Sequence, residues 1–242
     1  ANLMPLTLNE LYTQTKHQYH LSMIAGKTGI DHIMNWVYVS EDSSTHDFLK
    51  GGELIITTGI NYQDETSLYE FIETMIQSHT CGMILNTGKY ILSDHITDSI
   101  KELCDKHNYP LINMPWEVHI YDITRDYYNR IFMDTQKDTS ITDAFLSFIE
   151  NDSLHHYDAL RILEDNHFEK EDCYEIALMK CNKKAISDDL KLRLLFLMES
   201  YIKLNDLDIH IAFYKNHFLF VFHNMEEELI YNEISSLIST LE

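Results

Sequence analysis

The chain has 242 residues, 45% of them hydrophobic and 12% aromatic, enough to build a substantial core as one large domain or two smaller ones. A formal charge of −21, with no Lys/Arg cluster longer than Lys183-Lys184, makes this stretch by itself a poor nucleic-acid binder, because neutralising phosphates takes lysine and arginine. No apolar run reaches membrane-spanning length, Ala1–Pro5 lacks the features of a signal peptide, and the four cysteines form no Cys-x-x-Cys pair, so a cytoplasmic protein with reduced thiols and no membrane contact is expected.

Thr7-Leu8-Asn9-Glu10 fits a capping box that opens a helix to about His17. Trp36–Val39 reads as a strand. A rhythm then sets in. Glu53–Thr58 is a β-type run ending at Gly59, and Leu68–Gln77 has helical spacing. Gly82–Leu85 is a short apolar strand, and Ile96, Ile100, Leu103 and Cys104 form a helical stripe. Pro110–Met114 is a further strand, and Ile120, Ile123, Tyr127 and Ile131 begin another helix. Strands alternating with helices at this spacing predict βαβ units and a mostly parallel sheet with flanking helices.

All seven glycines lie between Gly26 and Gly88, and Trp116–Glu242 holds neither glycine nor proline. The second half is therefore expected to be helix-rich. Ile141–Ile149 and Leu154–Leu163 carry helical spacing. Tyr174–Met179 (strand), Leu190–Leu204 (helix), Ile209–Tyr214 and Phe218–Phe222 (strands, joined by a Lys215-Asn216 turn) and Leu229–Leu241 (helix) follow. The fold class is α/β: a parallel-sheet domain, a helical linker, then a smaller, incomplete α+β domain. The apolar stripe of Leu190–Leu204 is expected in the core, or against a partner chain.

Ligands of open parallel sheets bind beyond the carboxyl ends of the strands. Three predicted strand ends carry polar groups: Thr57-Thr58-Gly59, Asn86-Thr87-Gly88-Lys89 and Trp116-Glu117 after Pro115. Converging on one edge, they would suit a small polar or anionic metabolite. The same residues are also ordinary turn chemistry, and Trp116 could be core. Gly51-Gly52 before Glu53 reads either as an anion-binding nest or as a turn feeding a strand. No Gly-x-x-x-x-Gly-Lys-Ser/Thr, Gly-x-Gly-x-x-Gly, His-Glu-x-x-His or Gly-x-Ser-x-Gly occurs, so no cofactor, metal or catalytic residue is assigned. His17/His20 and His155-His156 read as solvated.

Five segments carry a resemblance: Leu6–Leu11, Ala25–Asp31, Trp36–Glu41, Leu49–Gly59 (with GGELIITTG) and Tyr109–Val118 (YPLINMPWEV). Their order and spacing resemble the N-terminal domain of PucR-type bacterial transcription regulators, the purine catabolism regulator family, over about residues 4–135. Asp42-Ser43-Ser44-Thr45 departs from the family's proline-containing stretch. Asn86-Thr87-Gly88 departs from its frequent lysine before the glycine.

The resemblance implies a ligand-sensing domain at 4–135, a helical linker at 136–165 and part of a degenerate GGDEF-like domain at 166–242. In that last domain Tyr214-Lys215-Asn216-His217-Phe218 stands where a cyclase carries its signature. It further implies a homodimer that relays binding of a metabolite effector to a C-terminal helix-turn-helix outside this chain, through which alone DNA would be contacted. The alternatives are an enzyme that converts a small molecule using Glu53 or Glu117, and a pure dimerisation module.

Overall fold

A computed structural model describes residues 6–62, 64–152, 154–181 and 186–241. The Ala1–Pro5 segment and the Lys183-Lys184 pair lie outside the described residues. The chain divides between Phe132 and Met133 into two compact units.

In the first unit, helix α1 (Leu8–Thr15) opens on the expected capping box: Glu10 N donates to Thr7 Oγ1 at 3.2 Å and Thr7 N donates to the Glu10 carboxylate at 2.7 Å. Strand β1 (Ser22–Ala25) follows. Then β2 (Trp36–Val39), β3 (Glu53–Thr57), α2 (Glu65–Gln77), β4 (Gly82–Thr87), α3 (Asp98–Lys106) and β5 (Leu111–Pro115) alternate in the predicted rhythm. The sheet order is β1-β5-β4-β3-β2. Strands β2 to β5 are parallel, and β1 runs antiparallel to β5 with Ser22 opposite Asn113. No periodicity marks β1 in the sequence, because a four-residue edge strand with only Ala25 buried has no apolar run to show.

Both faces of this sheet are covered, which is why its central strands are apolar without interruption. Leu54, Ile56, Ile84, Ile112 and Met114 face α1 together with Ile123 and Tyr127. Ile55, Met83, Leu85 and Leu111 face Leu68, Phe71, Ile72 and Met75 of α2 and Ile100 of α3. Each fully buried large apolar side chain here contributes roughly 1.5–3 kcal/mol. Gly26, at φ +70°, marks a close approach: a Cβ there would fall 1.8 Å from the Tyr109 carbonyl oxygen.

Helix α4 runs unbroken over Ile120–Ile149. The two separate apolar stripes predicted around Ile131 and Ile141 are one helix. The Asp134–Ser140 stretch between them lacks periodic apolar residues, yet it contains no glycine or proline to stop the helix.

The second unit adds α5 (His156–Asp165), β6 (Tyr174–Met179), α6 (Asp188–Leu204), β7 (Ile209–Tyr214), β8 (His217–His223) and α7 (Glu227–Leu241). Its sheet is antiparallel, in the order β6-β8-β7. Lys215 and Asn216 turn the β7–β8 hairpin with φ of +46° and +63°, the left-handed pair that suits the twist of a two-residue turn. Phe218, Phe220 and Phe222 pack with Met198, Ile202, Ile230 and Leu237 on one face. Leu219 and Val221 pack with Ile141, Phe145, Leu163 and Phe168 on the other. The buried edge of α6 is Met198 and Ile202, while Leu192 and Leu197 of the predicted core stripe are exposed. Among the described residues, no helix is long and apolar enough to cross a membrane.

Candidate functional site

The carboxyl ends of β2, β3, β4 and β5 lie along one edge of the first sheet, as parallel pairing requires. The β3 end is a donor cradle. Thr57 Oγ1 donates to a Glu41 carboxylate oxygen at 3.1 Å, Thr58 N at 2.9 Å, Thr58 Oγ1 at 2.8 Å and Gly59 N at 3.0 Å. Glu41 sits just past the end of β2, so the chain's own carboxylate fills the site that the loop creates. Gly59, at φ +74°, rides on Ile91, where a Cβ would fall 2.2 Å from Ile91 Cγ1. Ile91 O in turn accepts from Gly88 N at 2.8 Å, so the loops after β3 and β4 meet at this residue.

A second nest is filled the same way. Lys50 N donates to Glu53 Oε1 at 2.6 Å and Gly51 N to Glu53 Oε2 at 3.0 Å, with Glu53 only 6% exposed. The nest is thus made by the Lys50 and Gly51 amides, its anion is internal, and Gly51-Gly52 is the turn that feeds β3. Gly52 N instead donates to His79 O at 2.9 Å.

Asn86 is buried at the end of β4. Its amide donates to Met114 O at 3.2 Å, Pro115 O at 3.0 Å and Val118 O at 3.3 Å, tying β4 to the loop after β5. Thr87 donates its hydroxyl to the Asn113 side chain. Gly88 and Lys89 are exposed. The Lys89 ammonium lies 5.0 Å from the Trp116 ring and 5.2 Å from Tyr90, and the two rings meet edge to face at 5.6 Å. Gly88 leaves room for this cluster, since a Cβ there would touch Trp116 at 3.4 Å. The half-buried Trp116 is therefore a platform at the sheet edge rather than core.

Glu117 is exposed and opens onto a polar groove of about 810 Å³, walled by residues 18–20 and the first turns of α4. One wall is braced: Tyr19 Oη donates to Asp126 at 2.5 Å, and Arg130 donates to Asp126 at 2.8 Å and to Gln14 at 2.8 Å. Burial, and then the bond to Asp126, push the Tyr19 phenol well above its usual range. Exposed Arg125 and His119 add a guanidinium and an imidazole to the groove.

Of the predicted site residues, Lys89, Trp116 and Glu117 thus face the open edge. Thr57, Thr58 and Gly59 hold Glu41, while Asn86, Thr87 and Glu53 are bonded inside the fold. The end of β2 belongs with these loops, though it is not among the predicted strand-end sites. Ser40-Glu41 follows a predicted strand just as the other three loops do, and that position was the available signal. The Tyr62 hydroxyl is also buried and, among the described residues, has no hydrogen-bond partner.

The second unit carries two buried histidines in opposite states. His223 lies between carboxylates, with Nδ1 2.6 Å from Asp208 and Nε2 2.7 Å from Asp172. Burial opposes its charge, but bonds to Asp172 and Asp208 outweigh that and leave its pKa raised. His210, 2.8 Å from Thr142 Oγ1, is pushed down to about 4 by burial. Burial, and then the charges of Asp138 and Asp134, push the Glu199 carboxyl up to about 8. Among the described residues, no group of three or more His, Cys, Asp or Glu side chains is arranged so that it could hold a metal ion.

Residues 10–131 match the purine catabolism regulatory protein-like family, PucR. A purine catabolism regulatory protein of Bacillus subtilis (strain 168) is 30% identical over 103 residues, which are 42% of this chain and 19% of that relative. The chain therefore spans about a fifth of the length of the relative it matches. No solved structure matches.

Proposed function

The chain belongs to the purine catabolism regulatory protein-like family of regulators, and from that premise we propose that its first unit senses a small polar metabolite at the carboxyl edge of the parallel sheet. The observation that carries this reading is the open cluster of Lys89, Trp116 and Glu117 on neighbouring strand ends, beside a groove that α4 helps to wall. The ammonium and the indole offer charge and a stacking face. The groove offers the mixed polarity that fixes a ligand's orientation. Asn86, Thr87 and Glu53 hold the loops, and Thr57-Thr58-Gly59 presents backbone and hydroxyl donors.

Binding against the first turns of α4 would bias the position of this helix, which continues into the second unit. Such a relay needs different affinities for two states. We place the sensing domain at 4–135, a helical linker at 136–165 and part of a degenerate GGDEF-like domain at 166–242. The β-α-β-β-α order of β6 to α7 supports the last assignment. A homodimer is supported by Leu154 and Tyr157, which are 88% and 83% exposed. DNA would be contacted by a helix-turn-helix in another region of the protein, in the cytoplasm. The relative's name makes purine catabolites the first effectors to test.

The test is a thermal-shift screen against purine catabolites, amino acids and small organic acids. A stabilising compound should lose at least tenfold in affinity with Lys89→Ala and with Trp116→Ala, about 1.4 kcal/mol each. A genuine ligand indifferent to both, and to Glu117→Ala, places the site elsewhere. The enzyme alternative is weakened at Glu53, whose carboxylate is committed to backbone amides. Turnover of a stabilising compound that is lost in Glu117→Gln would revive it.

A further inference from the structure

We propose that Glu41 is a resident ligand of the β3-end cradle, and that a carboxylate of the effector takes its place when it binds. This rests on the sensing reading and adds the effector's chemical class and the movement its binding causes. The cradle presents two amides and two hydroxyls from three consecutive residues, all to one carboxylate. A donor set of this kind reads a pair of oxygens and their charge, and is indifferent to the chain behind them. Exchanging Glu41 for another carboxylate therefore conserves every hydrogen bond. Glu41 holds the cradle by its tether, so an effector displaces it only when contacts beyond the carboxylate offset that intramolecular advantage and make the two states differ in affinity.

Two further observations point the same way. The Tyr62 hydroxyl is buried and, among the described residues, unpartnered, with Glu41 and Asp42 close enough for their charges to add to burial in opposing its ionisation. An unmet buried hydroxyl is costly, and a ligand that reaches past the cradle would meet it. The segment that Glu41 leads into is also lightly held. The 3-10 turn Ser43–Phe48 buries none of its residues, and Phe48 is 73% exposed. Its bonds are local: Ser44 N donates to the Asp42 carboxylate at 2.9 Å, and the Ser40 and Thr45 hydroxyls meet at 2.8 Å. Release of Glu41 would free this turn while β2 and β3 stay paired.

Glu41→Ala empties the cradle, and sodium acetate is the probe, titrated against chloride at constant ionic strength. The melting temperature of the variant should fall below that of the parent and recover by about 3 °C as acetate saturates. The parent should not respond, and Glu41→Ala with Thr58→Ala should lose the recovery. The amide resonances of Thr58 and Gly59 should move with acetate. Amide protection over residues 42–48 should stay reduced, because free acetate is not tethered to that turn. Should Glu41→Ala not fold, Glu41→Gln serves in the same amide titration, since its side-chain NH2 opposes the cradle's donors and yields to acetate. A folded variant whose Thr58 and Gly59 amides ignore acetate overturns the exchange and leaves the sensing reading to its own screen. Acetate binding in the variant, with no metabolite stabilising the parent, overturns the sensing reading and the exchange with it.

Discussion

The Glu41 carboxylate takes both donors of Thr58, the amide at 2.9 Å and the hydroxyl at 2.8 Å, although the two residues belong to different strand-end loops. This pairing locks the β2 and β3 ends together and predicts graded losses. Thr58→Ala removes one hydroxyl bond to a charge and should cost about 1.5 kcal/mol. Gly59→Ala should cost more, about 3 kcal/mol, because it combines a left-handed φ with a clash against Ile91. Urea denaturation should show the midpoint falling in that order with an unchanged slope.

Glu53→Ala should destabilise the first unit by about 3 kcal/mol, since it orphans the Lys50 and Gly51 amides in a buried turn. Its effect should add to that of Thr58→Ala, as the two glutamates share no donor. A double-mutant cycle reads the difference directly.

Lys89→Met should leave stability within about 0.5 kcal/mol of the parent, because an exposed cation–π contact contributes little. It should nonetheless change Trp116 emission, as the ammonium sits 5.0 Å from the ring. Fluorescence in a Trp36→Phe background isolates that indole.

The His223 clamp gives the second unit a pH window. The raised pKa of His223 means its contribution is complete below the ordinary 6.5 and is lost as pH rises through the folded value. The pKa of Asp172 is lowered, first by its bond to His223, so its contribution holds above the ordinary 3.8 and is lost as pH falls through the folded value. His223→Gln should therefore lower the melting temperature most between those limits, by about 3 °C, with the gap closing in alkali. Calorimetry across pH checks this.

Glu199 has the opposite sense. A carboxyl raised from 4.5 to about 8 favours folding when protonated, so its charge erodes stability as pH climbs between those values. Glu199→Gln should melt higher than the parent at pH 8 and level with it near pH 4.5. A variant that melts lower at both ends would refute the assignment.

The sequence made the alternating elements legible because βαβ units repeat one apolar signature, and Ile55, Met83 and Leu111 all stand in buried strands. It hid β1, whose Ser22 and Met23 earn their place only by pairing with β5. It also hid the unity of α4, where polar residues from Asp134 to Ser140 interrupt the stripe but not the backbone. At the site, polarity after a strand marked the right loops. It could not tell Lys89, which faces outward, from Glu53, which turns back onto its own amides. That distinction depends on where the chain returns in space, as the unread partnership of Glu41 with Thr58 shows.

The pairing of β1 with β5 has a consequence for biosynthesis. Strands β2 to β5 lie side by side in the order in which they leave the ribosome, so each can dock on its predecessor as it emerges. Ser22 is made before any of them, yet it must wait for Asn113. Of the strands of this sheet, β1 is thus made first and paired last, and until then it is the strand that a chaperone would have most time to hold.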